Sequence, residues 1–469
     1  MTFRAPDEPV LSTLNLDGTR RWMRPVLQPG QFWRRRLLTA WGLIALFVGL
    51  PFLHIGGKPS ILLDLPSREF TFFGVTLLPT DSVLLMLLML GIFVSIFLLT
   101  ALYGRVWCGW GCPQTVYLEF VFRPIERLIE GNRKSQERLD KQRFPLRRWL
   151  KFAVYAVLAV VVANVFLAYF VGVDQLADWI TSPPAEHPAG FTVIVATSVL
   201  MFLDFAWFRD QMCVVACPYA RLQSVLIDRK SLIVAYDAAR GEPRGKLEKT
   251  TLERKAGDCV DCGACVTTCP TGIDIRKGLQ LECIGCTQCI DACDNVMDRI
   301  KRPRGLIRYT SQEEMETGKR PRILRPRVVL YPLLLLVIAG LFAFAVARRG
   351  EAEVTVLRGL GDPFSMQPDG QVANLVRVRV DQHGDDDGKY TIALEDSAGK
   401  QLSDVTLVVP ENPLHVRGGQ SVTTIAFVLA PASSFHGGVR RVVVKVSDGE
   451  KQTSKLPFSL FGPAGGAAP

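Results

Sequence analysis

The 469-residue chain is 48% hydrophobic with a net charge of +10, too long for one ordinary core and too apolar to be wholly soluble. Its basic residues crowd beside apolar runs, and none of the signals of the common nucleic-acid-binding folds accompanies them, which argues against a nucleic-acid partner. All twelve cysteines fall between Cys108 and Cys293, which excludes a secreted disulfide scaffold and points to a reducing compartment.

Residues 1–36 are predicted to be a cytoplasmic segment. Five apolar stretches follow, at about 37–53, 82–102, 152–171, 191–208 and 328–347, each close to the roughly 20 helical residues that cross a bilayer. The first has too much polar chain ahead of it, and no small-residue cleavage site behind it, for a cleaved signal peptide. Arg34, Arg35 and Arg36 precede it. Residues 103–150 hold ten Lys/Arg, whereas 172–190 hold none but carry Asp174, Asp178 and Glu186. Because cytoplasmic loops retain Lys and Arg, the amino terminus is expected inside a bacterial inner membrane. Residues 209–327, with 22 Lys/Arg, are expected inside too, and 348–469 in the periplasm; Arg348 and Arg349 run against this pattern. Every cysteine then lies at or beyond a cytoplasmic span end, and all five histidines lie outside.

Cys108 and Cys112 follow the second span in WCGWGCPQ, and Cys213 and Cys217 follow the fourth in MCVVACPY. If the local backbone is helical, residues four apart share a face, and two such pairs converge four soft thiolates on one redox or metal site. Copper(I), a further iron-sulfur cluster or a dithiol relay would each suit it; the plain alternative is cysteine as a small buried hydrophobe. Met212 could add a thioether, although a lone methionine is more often packing. Trp107 and Trp110 are expected to anchor the membrane interface. His54 and His187 could receive a metal outside, with an idle surface histidine the simpler reading.

Within about 255–300, Cys259, Cys262, Cys265 and Cys269 with Pro270 spell C-x2-C-x2-C-x3-C-P, and Cys283, Cys286, Cys289 and Cys293 repeat the spacing with Asp294 in place of proline. This is the bacterial two-cluster ferredoxin signature, in which the fourth cysteine of each run ligates the other cluster. The expected sets are therefore Cys259, Cys262, Cys265 and Cys293 for one [4Fe-4S] cluster, and Cys283, Cys286, Cys289 and Cys269 for the other. Gly263 and Gly285 suit the tight wrapping. Structural zinc needs neither the third and fourth cysteines at these offsets nor a duplication. No C-x-x-C-H and no histidine accompanies the runs, which disfavours haem and Rieske-type ligation.

Beyond about Glu351 the pattern becomes short alternating runs at 375–380, 390–394, 405–409, 422–429, 439–446 and 456–460, separated by turn formers. That spacing predicts an immunoglobulin-like β-sandwich with a docking role, ending in a mobile Gly/Ala/Pro tail from Gly462. The whole reads as a multi-domain membrane protein: a five-helix transmembrane region, a bacterial 2[4Fe-4S] ferredoxin-like α+β domain and a C-terminal sandwich.

WCGWGCPQ, CPYARLQ, VAYDAARGEPRG and the cysteine block ending CDNVMDRI resemble the cytochrome c oxidase accessory proteins of the FixG/CcoG/RdxA family across nearly the whole chain. The resemblance implies a part in maturing cbb3-type cytochrome oxidase, with reduction of Cu(II) to Cu(I) as its proposed chemistry. The implied partners are copper ions, a copper chaperone or transporter, and oxidase assembly components. The electron donor is not identified, and a homodimer is compatible with the pattern. The expectation is a membrane cupric reductase with copper at or near the four C-x3-C-P thiols; the alternatives are a quinol-driven electron relay and a non-catalytic assembly scaffold.

Overall fold

The computed structural model describes the chain apart from residues 1–11, 16, 18, 56, 67–68, 78–80, 143–144, 247–256, 320–324, 349, 360, 385, 397, 450–452 and 464–469. The stretch of tail predicted to be mobile lies, from residue 464, outside the described residues. The chain divides into two compact units, one of residues 1–74 and 85–341, the other of 75–84 and 342–469.

Among the described residues, five helices are long and apolar enough to cross a membrane: Gln31–Phe52, Ser82–Tyr103, Leu146–Val171, Pro188–Phe208 and Pro326–Ala347. Their outward side chains are apolar, with Leu38 78% and Leu336 70% exposed, as lipid-facing positions require and a water-soluble core would not permit. In the first unit the helices named below are α1 (Gln31–Gly49), α2 (Ser82–Tyr103), α3 (Val106–Trp110), α4 (Pro113–Tyr117), α5 (Arg123–Glu130), α6 (Leu146–Val171), α7 (Pro188–Leu203), α8 (Pro218–Leu226) and α9 (Gln288–Arg299). Helices α6 and α7 pack together, and the fully buried Ala159 and Ala163 of α6 supply the small side chains that let neighbouring helices approach closely. Phe122 stacks on Phe205 at 4.3 Å between centroids and meets Tyr155 edge-on at 4.9 Å.

A buried ionic network ties α5 to its surroundings. Arg209 donates to both Glu126 oxygens at 3.1 and 2.7 Å, Arg123 donates to both Asp210 oxygens at 2.8 and 2.9 Å and pairs with Glu119, and Lys151 lies 2.9 Å from Glu130. Burial alone would raise the Glu126 pKa, but Arg209 overrides it and holds that carboxyl at about 2. Each buried charge thus has an opposite partner, the condition under which buried ions are tolerated.

The ferredoxin-like part is framed by strands β1 (Ile233–Tyr236) and β2 (Ile307–Thr310), antiparallel with Ile233 opposite Thr310 and Tyr236 opposite Ile307. Val234, Tyr236, Ile273, Ile275, Ile290, Met297, Leu306 and Ile307 form its apolar core together with ligand-type cysteines. The amino-terminal segment runs along it: Val26 N–H donates to Thr267 O at 3.0 Å, and Phe32 and Trp33 N–H donate to the Asp291 carboxylate at 3.1 and 2.7 Å. Asp291 thereby caps α1 from a different domain.

The second unit is a β-sandwich of β3 (Ala352–Arg358), β4 (Gln371–Gln382), β5 (Gly388–Glu395), β6 (Thr406–Val408), β7 (Leu414–Val416), β8 (Ser421–Pro431), β9 (Val439–Ser447) and β10 (Thr453–Phe461). One sheet has the order β6-β8-β4-β3 with Ser365–Met366 added to β4; the other is β7-β5-β9-β10. Alternate residues such as Val376, Val378, Val380, Val442, Val444 and Val446 fill the space between the sheets. Strands β3 and β7 are additions to the expected set; β3 begins within five residues of a membrane helix, where composition blurs the boundary.

Candidate metal centres

The two ferredoxin runs repeat a backbone trick. In the first, Asp261 (φ 51°) and Gly263 (φ 67°) flank Cys262 with left-handed residues; in the second, Gly285 (φ 64°) and Thr287 (φ 62°) flank Cys286. Left-handed residues alternating with right-handed ones turn successive N–H groups inward, a concavity that suits an anionic cluster. Gly285 N–H donates to the Cys283 sulfur and Gln288 N–H to the Cys286 sulfur. Gly263 and Gly285 were legible in the sequence; Asp261 and Thr287 carry no such signal.

Cys259, Cys262, Cys265 and Cys293 line one cavity, together with Tyr236 and Arg276. Cys269, Cys283, Cys286 and Cys289 line a second, which Cys265 of the first set also borders. The fold brings together the two crossed sets, each able to hold a cluster. No three of the twelve thiols come within 4.8 Å of one another, whereas sulfurs sharing one metal at about 2.3 Å cannot exceed roughly 4.6 Å. The donor set therefore suits a multi-iron group better than a single ion. Burial pushes the Cys265, Cys283 and Cys286 thiols up to about 11, so loading metal near neutral pH releases protons.

The C-x3-C-P segments are also an internal repeat. Left-handed Gly104 (φ 57°) closes α2 four residues before Cys108, and left-handed Arg209 (φ 51°) follows the fourth span four residues before Cys213. Cys108 lies in α3 and Cys213 in a π-helical turn, Met212–Ala216. Cys112 and Cys217 are extended residues capping α4 and α8, each of which starts on the motif proline. The expectation of one helical face per pair is thus corrected: proline disfavours helix at the residue before it and favours the first position of the next.

The four thiols converge even so. Beyond burial, Cys112, Asp210, Cys108 and Cys217 lie near enough to Cys213 to raise its pKa, and Cys112 and Cys217 do the same for Cys108. Burial pushes Cys108 up to about 11 and raises Cys112 and Cys213, while the N–H groups of Thr115 and Gln114 act the other way on Cys112. Cys108 donates to Gln223 Oε1 at 3.0 Å, and Gln223, fully buried, donates to Tyr219 Oη at 2.7 Å and Thr100 Oγ1 at 3.3 Å.

This thiol group abuts the second cavity. Cys108, Ile284 and Cys286 pack together with Tyr219 beside them. A Cβ on Gly109 would fall 2.7 Å from Ile284 O and 2.8 Å from the Cys286 Cα and N, so only glycine fits there. Trp110, expected as an interface anchor, instead donates from Nε1 to Tyr309 Oη at 3.1 Å, and Tyr309 donates to Gly285 O at 3.1 Å. Trp107 is 45% exposed. Met212 opens the π-helical turn. Neither His54 nor His187 joins a metal-type grouping among the described residues. One such grouping, Asp81, Glu353 and His383, was missed in the sequence because its members are far apart; His383 Nε2 is 3.8 Å from Glu353 Oε2, as an ordinary ion pair would be.

Three family models match: a 4Fe-4S dicluster domain over residues 208–312, a 4Fe-4S binding domain over 85–133, and the IG-like fold at the C-terminus of FixG over 342–463. Protein RdxA of Cereibacter sphaeroides is 35% identical over 77% of this chain and 81% of its own length. The chain belongs to the FixG/RdxA family. Nitrogen fixation protein FixG of Rhizobium meliloti is 33% identical over 68% of each chain. A crystal structure of a FixG-related protein from Vibrio parahaemolyticus aligns with 24% of this chain and 98% of its own at 14% identity, with a TM-score of 0.21. As a FixG/RdxA-family member with these cysteines, the chain is a membrane iron-sulfur electron-transfer protein.

Proposed function

We propose that the protein is a cupric reductase that carries electrons to Cu(II) at the face formed by Cys108, Cys112, Cys213 and Cys217, in support of copper delivery to a cbb3-type oxidase. The observation that carries this reading is the packing of Cys108 and Gly109 against Ile284 and Cys286. It leaves no solvent layer between a cluster-ligand loop and the four-thiol face. Each Cu(II) takes up one electron, and the two clusters together supply two. Cysteine sulfur prefers Cu(I), so reduction at this face also changes the ligand preference of the metal. The buried thiols shed protons as copper binds. Copper chaperones or transporters and oxidase assembly factors are the partners in this reading, with the clusters on the cytoplasmic side and the sandwich in the periplasm.

The test follows the copper and cluster EPR signals together after anaerobic mixing of pre-reduced protein with Cu(II). Matched loss of both, abolished in C108S/C213S, is the expected outcome. Reduced clusters persisting beside unchanged Cu(II) would falsify the reading.

A second reading, a quinol-driven relay, draws on one feature. An apolar recess beside Cys283 is lined by Tyr103 at the end of α2, Arg105, Leu232, Leu281 and Tyr309. It supplies a place where a membrane quinol could reach a cluster ligand. Cluster reduction by quinol without copper would favour it.

A further inference from the structure

Arg36 lies in the first apolar helix, yet it is only 1% exposed. Its Nε donates to Gly109 O at 3.0 Å, and its guanidinium carbon lies 5.3 Å from the centroid of the Phe120 ring. Nη1 and Nη2 have no hydrogen-bond partner among the described residues. A buried guanidinium with two unsatisfied nitrogens is costly unless an anion completes its surroundings.

Asp291 is the carboxylate that faces it, and the Cys286 thiol and the Tyr309 phenol lie near it. Two of these are already engaged. Asp291 accepts the Phe32 and Trp33 N–H groups, and Tyr309 donates to Gly285 O. Neither gives a hydrogen bond to Nη1 or Nη2, which leaves Cys286 and whatever it ligates. The first cavity is different: its arginine, Arg276, is held by Asp274 at 2.8 Å and by Asp261 at 2.5 Å, and Cys262 is exposed to water. One cavity thus has a cation held between two carboxylates near solvent, the other a buried cation that faces one carboxylate, Asp291, and has two nitrogens without a hydrogen-bond partner.

We infer that Arg36 raises the reduction potential of the cluster held by Cys283, Cys286, Cys289 and Cys269 above that of its twin, making it the cluster from which electrons leave. Reduction of a [4Fe-4S]2+ core to [4Fe-4S]1+ adds one negative charge and no proton. A fixed positive charge in a low-dielectric site stabilises the reduced form more than the oxidised one. The same guanidinium is bonded to Gly109, whose backbone touches Cys286, so the tuned cluster is the one against the four-thiol face. The inference rests on the two-cluster assignment alone; it stands or falls separately from the identity of the final acceptor.

Potentiometric EPR titration of the full-length, cluster-loaded protein in detergent tests it, with C283S assigning the signal of the second cluster. In R36Q that cluster should become at least tenfold harder to reduce at a given potential, about 59 mV for one electron, while its twin moves much less. R36K, which keeps the charge, should restore most of the loss. If R36Q does not load eight irons, D291N decides: it retains an oxygen to cap α1 but removes the negative charge facing Arg36, so the same midpoint should rise. An unchanged midpoint in R36Q, equal shifts in both clusters, R36K as low as R36Q, or a midpoint in D291N that stays or falls would each overturn the proposal.

Discussion

The two C-x3-C-P segments share their cysteine spacing, a left-handed residue four positions ahead, and a helix that begins on the proline. They differ in the three residues between the cysteines. The first has Gly109, Trp110 and Gly111, and its missing side chain at Gly109 lets the backbone touch Cys286. The second has Val214, Val215 and Ala216, with Val214 buried, and is fastened from behind by Arg209 on Glu126. A repeated motif can therefore fix where sulfurs sit while the interstitial residues decide what each copy faces. One copy is a contact; the other is an anchor.

The largest expected effect comes from filling the contact. G109A should slow Cu(II)-driven oxidation of pre-reduced clusters about a hundredfold, the order of loss for a misplacement of about 1 Å, as read by stopped-flow absorbance. V214A, the matched change in the other copy, should leave that rate alone and lower stability by about 1–2 kcal/mol through a cavity. Equal rates in G109A and V214A would erase the distinction between contact and anchor.

The anchor is tested at Glu126. E126Q leaves Arg209 buried without its counter-charge and should cost about 3 kcal/mol in equilibrium or thermal unfolding in detergent. Acid gives the same answer by another route. The Glu126 carboxyl is held at about 2 in the fold against an ordinary value of 4.5, so its contribution is complete above about pH 4.5 and is lost as pH falls towards 2. E126Q should therefore show a shallower loss of stability than wild type across that window. The smallest effect belongs to the bridge between the copies: Q223L removes the acceptor of Cys108 and a donor to Thr100 and Tyr219, and should lower stability by about 1–2 kcal/mol.

Much of this architecture was legible in the residues. Cysteine spacing led to the two crossed sets, whose members gather at two neighbouring cavities with Cys265 bordering both, and the family resemblance agrees with the relatives found. The helical reading of Cys108 to Cys112 ignored the proline that follows each pair, although that proline marks the second cysteine as a cap. Arg36 was read with Arg34 and Arg35 as a topology signal because composition cannot tell which of three adjacent arginines turns inward; helix geometry and the facing Gly109 decide it. Asp261 and Thr287 adopt left-handed backbone without being glycine, which only the closed loop enforces. The ionic network and the Asp291 cap pair residues 83 and 259 positions apart, beyond the reach of local pattern.

That last cap bears on how the protein is held together. A Cβ on Gly30 would lie 2.2 Å from the Asp291 carboxyl carbon, so the entry to the first membrane helix is shaped around a side chain that also accepts the Phe32 N–H, 259 positions away. The amino-terminal arm is thus held by a residue far along the chain. Its placement rests on the helix that carries two cluster cysteines, Cys289 and Cys293, so a change that unseats that helix also uncaps the first membrane helix.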